Sequence, residues 1–578
     1  MSRRIGFRTL LDLRLGGFQD TVALAAAFGG GMLANPALSN VPGGMYLGMG
    51  LTAAGIATLF SRMDALVDKR MYHSDVFINS DDAHLIERAT ADIKSGLWDG
   101  MLLGYTVDSG KPVVISWDDW MRHAFIVGQS GMGKTVFGEW VMFQQIMRGG
   151  GILWIDGKVD ASNIRKLDAM CAYAGRRDDL RVINPGNPDF SNTYNPILYG
   201  DPDEVASRVL SLIPSTESNA GADFYKQKSN QGMTTLVAAI QAARLAYSFG
   251  DIAILLQNEK ALDYLTKLLP LSTDAGRQLA LFIESLKTVD RQGQRVIDIK
   301  KINDLFGGLG GRMHMFGSLN FGRVTNTYAP EVDLYDSVRR NQIVYLPLPT
   351  MGKNEAASNF GKMAIGDFRS AIAKIQDLPV PQRPWPPFLG FFDEAGSYVT
   401  PAWSRMFEQS RSAQLVMMPA IQTIANLDAV SDELREMVLG NTVIKASFRV
   451  GTQETAEHVT NFFGTERVAS VSVSMGRGGG VSAAAGTGQK QAVNDASNAS
   501  YSEKLEEVQR VTINDLKTLE KGECVVSVGG GSVYHIKVPR LEFSQAFLDE
   551  IGQPQINHAK RKFARGLNLY AEAHRWLS

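Results

Sequence analysis

His123 to Met147 reads HAFIVGQSGMGKTVFGEWVMFQQIM, and this stretch decides the fold. A short apolar run, HAFIV, gives way to a glycine-rich turn, and from Thr135 the apolar residues recur at helical spacing. Gly151 to Ile155 (GILWI) is a second apolar run of the kind that lies buried on both faces of a parallel sheet. Strand, glycine-rich loop, helix and strand open a parallel α/β sheet. Within it Gly128, Gln129, Ser130, Gly131, Met132, Gly133, Lys134 and Thr135 satisfy G-x-x-x-x-G-K-S/T at every required position. Glycines let backbone amides turn inward around phosphates with no Cβ in the way, and the helix N-terminus adds partial positive charge. The pattern puts Lys134 on the β- and γ-phosphates and the Thr135 hydroxyl on Mg²⁺, so ATP and Mg²⁺ are the expected ligands.

Downstream, Phe388 to Glu394 reads FLGFFDE. A buried strand ending in two carboxylates suits Asp393 as a second oxygen ligand for the metal. Glu394 would then orient and deprotonate the attacking water. Gln422 follows the next apolar strand, in QLVMMPAIQT, where an amide can sense the γ-phosphate. Arg411, in QSRSAQ just before that strand, has the position of an arginine finger reaching a neighbouring subunit's nucleotide. Lys445 and Arg449, in VIKASFRV, are the alternative cations. Asp156, in IDGK, either assists the metal site or caps a turn.

Outward from these motifs, residues 203–335 carry helix-like segments such as Thr234 to Ala246 and Gly276 to Leu286, with no strong strand run. The sheet resumes with Gln342 to Leu346, Phe388 to Phe392 and Gln414 to Met418. A Gly/Ala/Ser-rich stretch from Gly476 to Ser500 reads as a mobile loop, and Glu523 to Val538 as a closing hairpin turning at Gly529 to Gly531. Lys plus Arg is 59 against 60 Asp plus Glu, so nucleic-acid contact must come from local patches rather than from net charge. Two cysteines, Cys171 and Cys524, are too few for a disulfide framework and read as buried thiols.

The amino terminus differs in character. Arg3, Arg4, Arg8 and Arg14 precede an uncharged run from Thr21 to Leu38. A second uncharged run extends from Gly44 to Phe60, and Arg62, Lys69 and Arg70 follow it. Each run is about 17–18 residues, near the lower limit for crossing a bilayer. Basic residues on both outer flanks predict a hairpin with both ends in the cytoplasm.

Taken in order, the two-span start, GQSGMGKT, LWIDGK, TYNPIL (Thr193 to Leu198), FFDEAGSY, the Arg411 to Gln422 segment and KTLEKGECVVSV resemble a type IV secretion coupling protein, the TraD/TraG class of conjugation ATPases. The resemblance implies an α/β fold: a RecA-like P-loop motor domain with an all-α insertion domain and an N-terminal two-helix transmembrane anchor. The expected units are the anchor at 1–70, the motor at 71–202 and 336–545, the insertion at 203–335 and a short basic tail at 546–578. Lys134, Thr135, Asp393, Glu394, Arg411 and Gln422 then carry the roles given above. Also implied are a homo-hexamer in the bacterial inner membrane with its ATPase domain in the cytoplasm, channel components of a type IV secretion system, and a relaxase with single-stranded DNA or secreted proteins as cargo. The alternatives are a duplex-DNA pump of the FtsK/HerA type and a receptor mainly for protein effectors. Lys560, Arg561, Lys562 and Arg565 in the tail read as a solvated helix face or as a dock for cargo or lipid headgroups.

Overall fold

The computed structural model describes residues 30, 45–55, 90–91, 93–95, 99–212, 220–306, 309–401, 403–478, 496–558 and 567–568. β1 (Met101–Thr106) and β2 (Pro112–Ile115) pair antiparallel. β3 (Ala124–Val127) leads through the glycine loop into α1 (Lys134–Met147), and β4 (Ile152–Asp156) is followed by α2 (Ala161–Tyr173) and β5 (Leu180–Val182). α3 (Pro202–Leu210) and α4 (Ala220–Ala242) begin a run of helices. The sheet resumes with β6 (Ile343–Pro347), α5 (Thr350–Gln376), β7 (Phe388–Asp393), β8 (Leu415–Ile421) and β9 (Ile444–Ser447). β10 (Thr465–Gly478), β11 (Ala496–Gln509), β12 (Glu523–Val528) and β13 (Ser532–Lys537) complete the labelled strands.

Among the described residues, eleven strands form one sheet in the order β2-β1-β13-β12-β9-β3-β8-β7-β4-β6-β5. From β9 to β5 every neighbouring pair is parallel. The P-loop strand is therefore interior, with β8 between it and β7. Alternation along β3 splits its residues between two cores. Phe125 and Val127 join the core on the side of α5, with Phe360, Phe368 and Ile372. Ala124 and Ile126 join the core under α1, with Phe137, Trp140 and Phe143. Two covered faces explain why these strands are continuously apolar in sequence.

Several expectations are corrected. Met101–Thr106, for which the sequence pattern predicts no element, forms a strand, β1, whose run MLLGYT is interrupted by Gly104. That glycine is required, because a Cβ there would come within 2.6 Å of the Lys537 carbonyl oxygen across the sheet. The ends of the Gly476 to Ser500 stretch are not loop. Gly476 pairs with Asn498 and Gly478 with Ala496 in the antiparallel ribbon of β10 and β11, and residues 479–495 lie outside the described residues. The helical stretch also contains a short antiparallel pair, Lys287–Val289 with Arg295–Ile297, and its long helix stops at Ala242 before Leu245–Ala246 turns extended. Cys171 and Cys524 are both free and buried.

Of the two uncharged N-terminal runs, only Gly30 and residues 45–55 are described, both as helix. Among the described residues no helix is long and apolar enough to cross a membrane.

Two extended segments join the sheet to the helical stretch, and they meet at a parallel bridge between Tyr194 and Val332. Glu331 ties them together, accepting from the Thr193 amide at 2.8 Å and from its hydroxyl at 3.2 Å. The tail leaves its helix (Gln545–Ile551) and crosses this neck. Arg177 donates to the Ile551 and Gln553 carbonyls, Asn192 to the Asn557 carbonyl, and His558 lies 2.9 Å from Glu331. Leu567 and Asn568 then pair with Leu245 and Ala246 of the helical stretch. The basic residues 560–562 and 565 fall outside the described residues.

Beneath the neck, Arg208 is almost wholly buried and donates to Asp367 of α5 at 2.6 Å, while the Tyr194 hydroxyl donates to the other carboxylate oxygen at 2.8 Å. Burial pushes the Asp367 carboxyl up to about 6, and Arg208 pulls it back. Arg208→Ala strands that carboxyl, so it should cost about 3–5 kcal/mol, against about 1 kcal/mol for Tyr194→Phe. Urea denaturation checks both, and equal midpoints for the two variants would refute the ordering.

Candidate nucleotide-binding site

The glycine loop leaves β3 and curls back on itself before α1. Gly131 (φ +79°) and Gly133 (φ +121°) hold left-handed backbone that a side chain would strain. Gly128 is fixed by a close approach, since a Cβ there would meet the Phe448 side chain at 2.6 Å. Gly133 caps α1 with no side-chain acceptor, so the helix's first amides stay directed into the loop. Lys134 folds its ammonium into this cradle, donating to the Gly128 carbonyl at 2.7 Å. Burial lowers its pKa, and the nearby Glu394 and Asp393 carboxylates oppose that shift.

Asp393 ends β7 in register with Asp156 of β4. The Thr135 hydroxyl donates to Asp393 Oδ2 at 2.7 Å. Burial first, and the Asp156 carboxylate second, push Asp393 up to about 7. Glu394 follows in left-handed backbone (φ +50°, ψ +42°), and its amide donates back to Asp393 Oδ1 at 3.0 Å. Gln422, one residue past β8, donates from Nε2 to both Glu394 oxygens, at 3.0 and 2.9 Å. The strand order β3-β8-β7 thus brings Lys134, Thr135, Asp393, Glu394 and Gln422 to one end of the sheet.

Asp156 faces inward. It accepts from the Lys158 amide (2.9 Å), Asn163 Nδ2 (2.8 Å) and the Tyr345 hydroxyl (2.9 Å), and it is fully buried. Of the two readings left open for it, this geometry is the turn cap.

Arg411 does not join the group. It sits in a short turn at the opposite end of β8, roughly 20 Å of strand away at about 3.3 Å per residue. There it pairs with Asp118 at 2.8 Å and is about half exposed. His123 holds that corner. Its Nδ1 accepts from the Met417 amide, so Nε2 donates to the Phe407 carbonyl at 3.0 Å. Lys445 turns away to the Thr442 carbonyl. Arg449 follows β9, and its carbonyl accepts from the Gln129 amide at 2.7 Å, which braces the P-loop through backbone alone. The Gly522 amide likewise donates to the Met132 carbonyl at 2.9 Å. Sequence reading missed Gly522 and Tyr345 because each acts on a segment far away in the chain, and Asn163, seven residues past Asp156, because no motif marks it.

A glycine loop opening a helix, a hydroxyl at its first turn and paired strand-end carboxylates define a P-loop nucleotide-binding module. Residues 387–521 match a family described as the TraM recognition site of TraD and TraG. The chain is 24% identical over 398 residues to the type 4 coupling protein DotL of Legionella pneumophila. That match covers 59% of this chain and 49% of DotL, so the chain spans about half the length of the curated relative it matches. Among solved structures, the conjugative coupling protein TrwB lacking its N-terminal segment superposes with a TM-score of 0.50 at 13% identity, over 82% of this chain and 94% of that one. At that identity the likeness is one of fold, and the RecA-like α/β reading stands. Together the findings bear out the resemblance to the type IV coupling proteins.

The raised pKa of Asp393 has a stability consequence. The folded chain holds this proton up to about pH 7, whereas an unfolded aspartate releases it near 3.9. The contribution is present in full below pH 4 and is lost as pH rises toward 7. In nucleotide-free protein at pH 8, Asp393→Asn should therefore be more stable than the wild type, and the gain should vanish at pH 4. Thermal unfolding at the two pH values measures it; a gain that is larger at pH 4 would contradict the assignment.

Proposed function

We propose that the chain is an ATP-hydrolysing coupling protein of a type IV secretion or conjugation system, which recruits relaxase-bound single-stranded DNA and drives it to the transfer channel. The observation that carries this reading is the Thr135–Asp393 contact, with Glu394 and Gln422 beside it, in a chain related to coupling proteins. A hydroxyl and a carboxylate are hard oxygen donors of the kind Mg²⁺ takes, and Asp393 is held close to its ionisation point rather than locked in a salt bridge. Mg²⁺ arriving with ATP would neutralise charge on the β- and γ-phosphates. The loop amides and Lys134 bind the phosphates. Glu394 takes the proton of the attacking water, and Gln422 aims its carboxylate.

One cation is still needed for the charge that develops on the transferred phosphoryl group. Arg411 lies too far away to serve its own site, which favours supply from a neighbouring subunit of a ring. Its contact with the exposed Asp118 is the kind of surface pair that exchanges partners at little cost.

The reading includes a two-helix anchor in the inner membrane. Gly30 lies so close to the helix at 45–55 that a Cβ would come within 2.6 Å of the Gly48 carbonyl oxygen, and small residues suit such packing in lipid. Met45, Tyr46, Leu47 and Met49 on that helix are exposed. A cysteine placed at Asn40 should be labelled from the periplasm, and labelling only from the cytoplasm would remove the hairpin.

Subunit mixing tests the ring. Lys134→Ala lacks a competent pocket and Arg411→Ala lacks a finger, so each alone should be nearly inactive, with a loss of roughly 10³ or more for the finger. Mixed rings should recover part of the ATPase rate, and single-stranded DNA should stimulate them. Wild-type turnover by Arg411→Ala alone excludes that residue. Recovery with stimulation only by a secreted protein would favour protein cargo.

A further inference from the structure

The motif FFDEAGSY ends in a tyrosine to which the proposed chemistry assigns nothing. We propose that Tyr398 is a positioning residue for hydrolysis, its hydroxyl fixing the Asp393–Glu394 peptide and with it the place of the Glu394 carboxylate. The proposal rests on reading Glu394 as the general base.

The Asp393–Glu394 peptide is held at both ends. On the nitrogen side, the Glu394 amide donates to Asp393 Oδ1 at 3.0 Å. On the oxygen side, the Asp393 carbonyl accepts from the Gly157 amide at 3.1 Å and from the Tyr398 hydroxyl at 2.9 Å. The same hydroxyl lies 3.1 Å from the Ile155 carbonyl, so one phenolic proton is shared between the ends of β4 and β7. Both strands carry an aspartate at that end, and the hydroxyl sits beneath the pair.

This matters because Glu394 is a non-glycine residue in left-handed backbone. Such a residue relaxes to a commoner conformation unless its surroundings prevent it. A peptide that cannot rotate prevents it here. The tight turn that follows, with the Tyr398 amide donating to the Ala395 carbonyl at 3.0 Å, returns the chain so that Tyr398 reaches back under Asp393. The ring itself has no freedom. It is fully buried beside Trp403, and at Gly361 of α5 a Cβ would come within 2.9 Å of the Tyr398 Cβ. A rigid, buried phenol with its hydroxyl on a strained catalytic peptide is placed to set geometry rather than to fill space.

Tyr398→Phe in the full chain removes only the hydroxyl. Nucleotide affinity should stay within about twofold, while single-turnover hydrolysis should fall roughly tenfold through a misplaced carboxylate. In nucleotide-free protein the Gly157 and Glu394 amides should exchange hydrogen several-fold faster, at roughly the scale of a local opening. The decisive measurement is a double-mutant cycle. If Tyr398 acts through Glu394, adding Tyr398→Phe to Glu394→Gln should slow hydrolysis no further, within about twofold. Wild-type turnover by Tyr398→Phe, or a tenfold loss that multiplies onto Glu394→Gln, overturns the proposal. Wild-type turnover by Glu394→Gln is a different result, because it removes the base reading itself.

Discussion

The Thr135 hydroxyl donates to the Asp393 carboxylate at 2.7 Å, across 258 positions of sequence. Much of the fold serves that contact. Thr135 must sit at the first turn of a helix whose preceding loop is open toward phosphate, and Asp393 must end a strand two places away in the same sheet. Parallel order between β3 and β7 is the only arrangement that puts both at one end, because each strand then delivers its successor loop on the same side. β8 lies between them and delivers Gln422 to Glu394. Burial of all six residues of β7 fixes the height of the carboxylates, and the apolar cores on both sheet faces keep that height constant.

The helical stretch is tied to this site through α5. Thr350, at its start, donates to the Gly157 carbonyl beside the strand ends, and Asp367, in the same helix, pairs with Arg208 under the neck. Seventeen residues of helix span roughly 25 Å, so one rigid element touches both places. The tail closes the neck from outside through Asn557 and His558. The segment expected to be a short basic appendage is, through residue 558, part of the joint between the two halves of the molecule.

The strands of the parallel sheet were legible because they are apolar on both faces and end in chemistry. GQSGMGKT and FFDE announce their place at strand ends, and the hairpin at Gly529 to Gly531 announces its turn through two left-handed glycines. β1 was not legible, since its glycine is required by a neighbour more than four hundred residues away. The ribbon of β10 and β11 was not legible either. Val471, Val473 and Met475 do alternate with serines in β10, but its partner run ASNASYSEKLEEVQ shows no such alternation, and the pairing depends on the two runs meeting in register.

Sequence by itself determined a phosphate-cradle pattern on a parallel α/β sheet, because such a cradle demands particular residue types at fixed local spacing. It also named Lys134, Thr135, Asp393, Glu394 and Gln422. Tertiary structure alone decided which of the named residues share a site. It set Arg411 at the far end of β8, turned Asp156 inward against Asn163 and Tyr345, and brought Tyr398 under the Asp393–Glu394 peptide. The physical reason is range. Backbone cradles and caps are local and leave a local pattern. A hydrogen bond between strand ends depends on sheet order, and no short window of sequence contains it.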